Sequence, residues 1–322
     1  MHDSIFYDSE IKNELRYDDC LKILKDFKKT CSKLGAKPLV AFAGGDPLLR
    51  KDFFDLLEEC KKMKIKVNII GNPFLITNEI ALKLKKAKIN GYQISIDGLE
   101  KTHDFFREKE SFKKSLEALE ILNKNKINNS VMFTLSKKNK NDLIPLIKFI
   151  AGKTDLFDFA RFVPTGSGTK IKKEILSAKE YHTLLEKVFL EYEKLKGKTK
   201  TNFGKKDHLW KLLEFEKGIL KPENTGLIED GCSLGIRHLT ILADGKVLAC
   251  RRMPIEIGKV PEQSLFDIFL KSKKLNELRE INKMKKCGKC ELLNYCRGCP
   301  AVAFAIKGNY FDKDPQCWKK FD

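Results

Sequence analysis

Seven of the ten cysteines in this 322-residue chain lie between residues 232 and 317, at Cys232, Cys250, Cys287, Cys290, Cys296, Cys299 and Cys317. From Cys287 the spacing is C-x2-C-x5-C-x2-C, in the segment CGKCELLNYCRGC. Thiolates spaced this closely bring several sulfurs into one small volume, which structural zinc and iron–sulfur clusters both require. A disulfide knot would need an oxidising compartment. The start, MHDSIFYDSE, has no basic stretch, apolar core or cleavage site of a secretory signal, so a cytoplasmic chain with thiols free for metal is expected. A zinc ribbon takes four ligands, whereas seven thiols suit two sites. Cys20, Cys31 and Cys60 fall on helical stretches and read as ordinary half-buried thiols.

A second chemistry sits where four apolar runs end in glycine or polar residues. These ends are Ala43-Gly44-Gly45-Asp46-Pro47, Gly71-Asn72-Pro73, Ser95-Ile96-Asp97-Gly98 and Pro164-Thr165-Gly166-Ser167-Gly168. Adjacent glycines let a ligand approach the main chain, although Gly-Gly-Asp-Pro by itself is also an ordinary tight turn. Ser95 and Asp97, two residues apart, point to the same side of a strand and can exchange hydrogen bonds with a ribose or an amino acid. His103, Asp104 and Arg107 follow. Four such ends on one sheet make a ligand-binding mouth.

What must position these groups is an alternation of short apolar runs and amphipathic stretches. Strands are expected over 38–45, 66–72, 92–97, 130–136 and 157–164. Helices are expected over 17–34, 51–63, 77–86, 111–124, 140–151 and 178–195, with a further piece over 207–215. The pattern predicts an α/β fold of parallel strands joined by crossover helices, either a barrel or an open sheet, whose ligands meet the carboxyl ends of the strands. Glycines and a proline loosen the pattern over 201–230, which reads as a linker. It separates an α/β domain over 1–200 from a cysteine domain over 231–322, where Asp244-Gly245 marks a β-hairpin. The net charge of +19 comes from lysines spread along the whole chain, which reads as a solvated basic surface and not a nucleic-acid site. No apolar run has the roughly 20 residues that cross a bilayer.

These motifs resemble the radical SAM superfamily, in particular members with a C-terminal SPASM domain, and the resemblance covers nearly the whole chain. It implies a partial (β/α)6 TIM-like barrel lacking its first strand, followed by a small cysteine-rich domain. FAGGDPLLR resembles the glycine-rich strand end that holds the amino group of S-adenosylmethionine, a role for Gly44, Gly45 and Asp46. Asn72 ends the next strand. SIDGLEKTHDFFR implies Ser95 and Asp97 at the cofactor's ribose or carboxylate, with Arg107 as a carboxylate partner. FVPTGSG implies Pro164 and Gly166 near the adenosine. The cysteines resemble the SPASM pattern, one residue short in the gap before Cys299. They imply one auxiliary [4Fe–4S] cluster on Cys287, Cys290, Cys296 and Cys317. A second would sit on Cys232, Cys250 and Cys299, with one iron open to water, substrate, or a residue such as Glu229 or Asp230.

The superfamily's C-x3-C-x2-C loop is not in this sequence, and ELRYDDCLKIL resembles the stretch that follows it. The expectation is a fragment, S-adenosylmethionine and a third cluster belonging to an intact parent. The alternative is a natural chain that has lost the radical chemistry. A sheet without its first strand would expose an apolar edge over 39–43, which favours the fragment. The implied function is 5′-deoxyadenosyl radical modification of a ribosomally made peptide or protein, with an acidic segment on the substrate and a flavodoxin or ferredoxin as reductant. Neither nucleic acid nor membrane is an expected partner. Alternatives are an anaerobic sulfatase-maturase-like enzyme and a non-catalytic iron–sulfur electron carrier or peptide-binding scaffold. No catalytic residue is assigned.

Overall fold

A parallel strand cannot return to its neighbour by a tight turn, so each apolar run here is followed by a helix that crosses back over the sheet. A computed structural model describes residues 13–223 and 225–321. After helix α1 (Tyr17–Lys33) come β1 (Leu39–Phe42), α2 (Phe53–Lys62), β2 (Lys66–Ile70), α3 (Asn78–Lys86) and β3 (Gly91–Ser95). They are followed by α4 (Glu100–Phe106), α5 (Ser111–Lys124), β4 (Asn129–Leu135), α6 (Leu143–Ile150), β5 (Leu156–Arg161), α7 (Ala178–Leu195), β6 (Asn202–Phe203) and α8 (Trp210–Glu216). The six strands form one parallel sheet in sequential order. The expected α/β architecture is present, and Leu39, on edge strand β1, is exposed.

Apolar side chains fill one face of the sheet, whereas Asn68, Gln93, Ser95, Ser130 and Met132 on the opposite face are only half-buried and Thr134 is exposed. Ile69, Ile94, Val131, Phe133, Phe157 and Phe159 are fully buried. Helix ends are fixed locally: Ser177 and Glu180 form a reciprocal capping box on α7, and Thr77 caps α3.

The span read as a linker contributes to this core. Asn202 and Phe203 pair with Leu156 and Phe157 of β5 as the sixth strand. Trp210 on α8 is fully buried, stacked on Tyr192 at 5.6 Å and edge-on to Phe159 at 6.0 Å. A two-residue strand has no periodicity to read, so its position comes from pairing alone.

The cysteine-rich part has its own antiparallel sheet of β7 (Thr240–Ile241), β8 (Lys246–Cys250) and β9 (Met253–Lys259). Helices α9 (Leu265–Lys271), α10 (Lys273–Arg279) and α11 (Pro300–Lys307) follow. Val247, Ala249, Met253, Leu275 and Val302 make a second core. Asp26 on α1 accepts the Leu265 amide at 2.6 Å, tying the first helix to the start of α9. No helix among the described residues is long and apolar enough to cross a membrane.

Candidate functional site

Parallel strands bring all their carboxyl ends to one edge, so the four polar strand ends become neighbours. Hydrogen bonds then stitch them together. After β1, Asp46 accepts the amides of Leu48 at 2.8 Å and, across the loop after β2, Asn72 at 2.6 Å. Burial raises the Asp46 pKa against these bonds. Asn72 in turn accepts the Phe74 amide at 3.0 Å. Tyr92 of β3 lies under Gly71, where any Cβ would run into the tyrosine hydroxyl. Gly44 adopts φ +146°, a conformation that side chains disfavour, with open space where its Cβ would be.

The end of β3 is tied down more tightly. Buried Asp97 accepts Nε and Nη2 of Arg107 through Oδ2, at 2.9 and 2.6 Å, and the Thr134 amide through Oδ1 at 2.8 Å. Its own amide donates to Nδ1 of His103 at 3.0 Å, and its carbonyl accepts from Asn139 at 2.9 Å. His103 is 1% exposed, and burial lowers its pKa to about 4, so the ring is a neutral acceptor. Asp46 therefore spends its carboxylate on loop amides, and Asp97 spends its own on the Thr134 amide of β4 and on Arg107. Ser95 forms no side-chain hydrogen bond among the described residues, and Gly44 and Gly45 present backbone. Pro164 is buried, and Gly166 (φ +57°) begins the turn after β5.

Arg161, the last residue of β5, joins this edge to the cysteine region, a role that the sequence analysis did not assign. It is 2% exposed. Nε donates to Asp207 at 2.7 Å, Nη1 and Nη2 donate to Asp314 at 3.0 and 2.8 Å, and Nη1 also reaches Gln316 at 3.0 Å. The guanidinium lies 5.0 Å from the Tyr181 ring centroid. Asp314 then accepts the Cys299 amide at 2.8 Å. Two Arg161–Asp314 hydrogen bonds and the Cys299 amide on Asp314 thus connect β5 to the backbone of a thiol residue. The available sequence signal was a charged residue inside LFDFARFV, a strand otherwise built for burial.

The seven thiols fall into two neighbourhoods. Cys250 acts on Cys232, and Cys232 on Cys299. Separately, Cys317 and Cys290 act on Cys287, Cys317 and Cys287 on Cys296, and Cys290 on Cys317. Burial pushes Cys232 up to about 11 and Cys287 and Cys299 to about 12, and raises Cys296 and Cys317 as well. Backbone amides approach two sulfurs: Gly298 N–H to Cys296 Sγ at 3.4 Å and Arg252 N–H to Cys250 Sγ at 3.5 Å. All ten cysteines are free thiols. Among the described residues no three His, Cys, Asp or Glu side chains are drawn together as for a single ion. Glu229 and Asp230 are engaged elsewhere, Glu229 with Thr225 at 2.7 Å and Asp230 with Lys211 at 2.9 Å.

Comparison with known proteins agrees with this layout. Residues 5–150 match the model of the radical SAM superfamily, and residues 232–300 match that of the SPASM iron–sulfur cluster-binding domain. An AdoMet-dependent heme synthase of Methanosarcina barkeri is 29% identical over 304 residues, covering 91% of this chain and 85% of the relative. An Fe-coproporphyrin III synthase of the same organism is 27% identical over 331 residues, covering 97% and 82%. Streptococcus suis SuiB bound to S-adenosylmethionine superposes with a TM-score of 0.71 at 21% identity, over 92% of this chain and 70% of that one. At that identity the likeness is one of fold. Two family models, each matched where its motifs stand, place this chain in the radical SAM superfamily with a C-terminal SPASM domain.

Proposed function

We propose that this protein is a radical SAM/SPASM oxidoreductase acting on a carboxylate-bearing substrate of the tetrapyrrole class named in its curated relatives. The observation that carries the reading is the division of the thiols between two cores, Cys232, Cys250 and Cys299 packing against the second and Cys290, Cys296 and Cys317 against the first. The set of three is wired through Asp314 and Arg161 to the ligand edge of the sheet. One zinc at about 2.3 Å from each sulfur would pull its ligands tightly together. A multi-iron cluster seats thiolates farther apart, and amides directed at sulfur suit it.

The residues fit these groups as follows. Cys287, Cys290, Cys296 and Cys317 would hold one [4Fe–4S] cluster, and Cys232, Cys250 and Cys299 the other, with one iron open. Positive metal charge would deprotonate thiols that burial otherwise keeps neutral. The backbone at Gly44 and Gly45, held by the loop that Asp46 braces, would receive the amino group of S-adenosylmethionine. Asn72, Ser95, Pro164 and Gly166 would line its ribose and adenosine. Arg107, with Asp97 behind it, would face the carboxylate. Bound there, S-adenosylmethionine supplies carbon-centred radical chemistry through a cluster whose C-x3-C-x2-C loop is not among these 322 residues. The residues present bind, orient and shield, and a flavodoxin or ferredoxin would supply electrons.

The peptide substrate expected from the sequence is the second reading, favoured by a net charge of +19 that suits an acidic segment. Anaerobic reconstitution of the full chain tests both. The expected product carries about eight irons. It should bind coproporphyrin III more tightly than an acidic peptide. Zinc retention without iron would sink the cluster reading, and preference for the peptide would reverse the order of substrates.

A further inference from the structure

We infer that Arg252 and Lys206 form a carboxylate-binding subsite beside the three-cysteine set, an inference that rests on the reading of that set as a cluster site. Arg251 and Arg252 are the two-residue turn between β8 and β9, closed by the pairing of Cys250 with Met253. The Arg252 amide points at Cys250 Sγ, so its guanidinium departs from the chain two residues beyond a thiol of the set. The charges that act on Cys232 and Cys299 include Arg252.

A half-buried guanidinium needs acceptors for five N–H groups. The other buried or half-buried arginines find them. Arg50 binds Glu14 and Asp52, Arg107 binds Asp97, and Arg161 binds Asp207, Asp314 and Gln316. Arg279 donates to the carbonyls of Gly235 and Phe269, and Arg297 to those of Asp230, Cys232 and Leu293. Arg252 is half-buried, yet among the described residues its guanidinium meets no acceptor.

Within its field stands a second cation. Lys206 leaves β6 with its amide on Asp158 Oδ1 at 3.2 Å, and its ammonium has no acid partner within salt-bridge distance among the described residues. Burial, with Arg252 adding repulsion, lowers its pKa to about 8. The nearby acid, Asp158, offsets this weakly. Its Oδ1 is taken by the amides of Phe159 and Lys206, and burial lifts its pKa to about 6. Arg252 is half-buried and Lys206 exposed, so both cations are open to an incoming anion, which would relieve the repulsion between them. A carboxylate offers one oxygen pair to the flat guanidinium edge and a free lone pair to the ammonium. A substrate acid gripped here would place its carbon framework next to the three-cysteine set.

The test measures binding to the anaerobically reconstituted full chain, using coproporphyrin III, its tetramethyl ester and a Glu-rich peptide as probes. Arg252→Gln should weaken coproporphyrin III about 10- to 100-fold and Lys206→Gln about 10-fold, as loss of charge-assisted hydrogen bonds implies. Arg252→Lys should recover part of the loss, and the ester should bind wild type and Arg252→Gln alike. Iron content and circular dichroism equal to wild type show that each variant folds. A peptide that responds to Arg252→Gln while coproporphyrin III does not would assign the same subsite to a peptide acid. Equal binding of every probe by wild type, Arg252→Gln and Lys206→Gln, with iron fully loaded, overturns the subsite and leaves the cluster reading standing. A wild type that loads only about four irons sinks the cluster reading, and the inference falls with it.

Discussion

Replacing Arg161 by methionine removes the charge that two buried carboxylates share. Arg161 makes four hydrogen bonds of 2.7–3.0 Å, to Asp207, Asp314 and Gln316. The side chains of Arg161, Asp207 and Asp314 are 1%, 7% and 1% exposed. Removing one partner of a buried pair costs about 3–5 kcal/mol, because the remaining charge is left without compensation. Here two charges are stranded, but each keeps backbone donors: Asp207 the Leu209 amide at 3.0 Å, Asp314 those of Cys299 at 2.8 Å and Gln316 at 2.9 Å. One of them can also take up a proton. The expected loss for Arg161→Met is therefore about 4 kcal/mol, or a urea midpoint about 2 M lower. Anaerobic urea unfolding followed through buried Trp210 measures it. Adding Asp207→Asn and Asp314→Asn should bring stability back to within about 1 kcal/mol of wild type, since a buried ionic cluster gains little over a neutral one of similar shape. Iron should leave the three-cysteine set first, because Asp314 positions the Cys299 amide. A change below about 0.5 kcal/mol in Arg161→Met, or no recovery in the triple variant, would refute the reasoning.

Three further outcomes follow from the same geometry. Alanine at Cys232, Cys250 or Cys299 should remove about four irons per chain and leave those of the other set, and alanine at Cys287 or Cys296 should do the reverse; iron analysis with Mössbauer spectra decides it. His103 stays neutral in the fold to about pH 4, whereas the unfolded chain takes up the proton near its ordinary 6.5. Its folded pKa is depressed, so its contribution is present above pH 6.5 and is lost as pH falls towards 4, by about 3 kcal/mol; His103→Gln should flatten that part of a stability–pH curve. Gly71→Ala forces a Cβ onto the Tyr92 hydroxyl and should cost about 1–3 kcal/mol, with a smaller penalty in a Tyr92→Leu background, as a double-mutant cycle of melting temperatures will report.

Five strands and the helices that cross between them were legible because each carries its own periodicity. The hairpin at Asp244-Gly245 was legible because turn chemistry is local. Cys232 and Cys250 lie far from Cys299 along the chain, and only the spacing pattern of the SPASM family assigns them to one set. The sixth strand was read as linker, since Asn202 and Phe203 are strand only by virtue of β5 beside them.

The strand-end residues divide in the same way. Gly44, Gly45 and Asp46 announce a loop in which backbone is exposed, and their residue types suffice to say so. That Asp46 and Asp97 give their carboxylates to neighbouring backbone depends on which amides arrive opposite them, from residues 26 and 37 positions away. The amino-acid sequence by itself determined the α/β class, the family and the thiol chemistry, all of which reside in periodicity and residue type. Tertiary structure alone decided that Arg161 is paired and Arg252 is not. Whether a buried cation is satisfied depends on which acids the chain folds around it, and no local pattern carries that information.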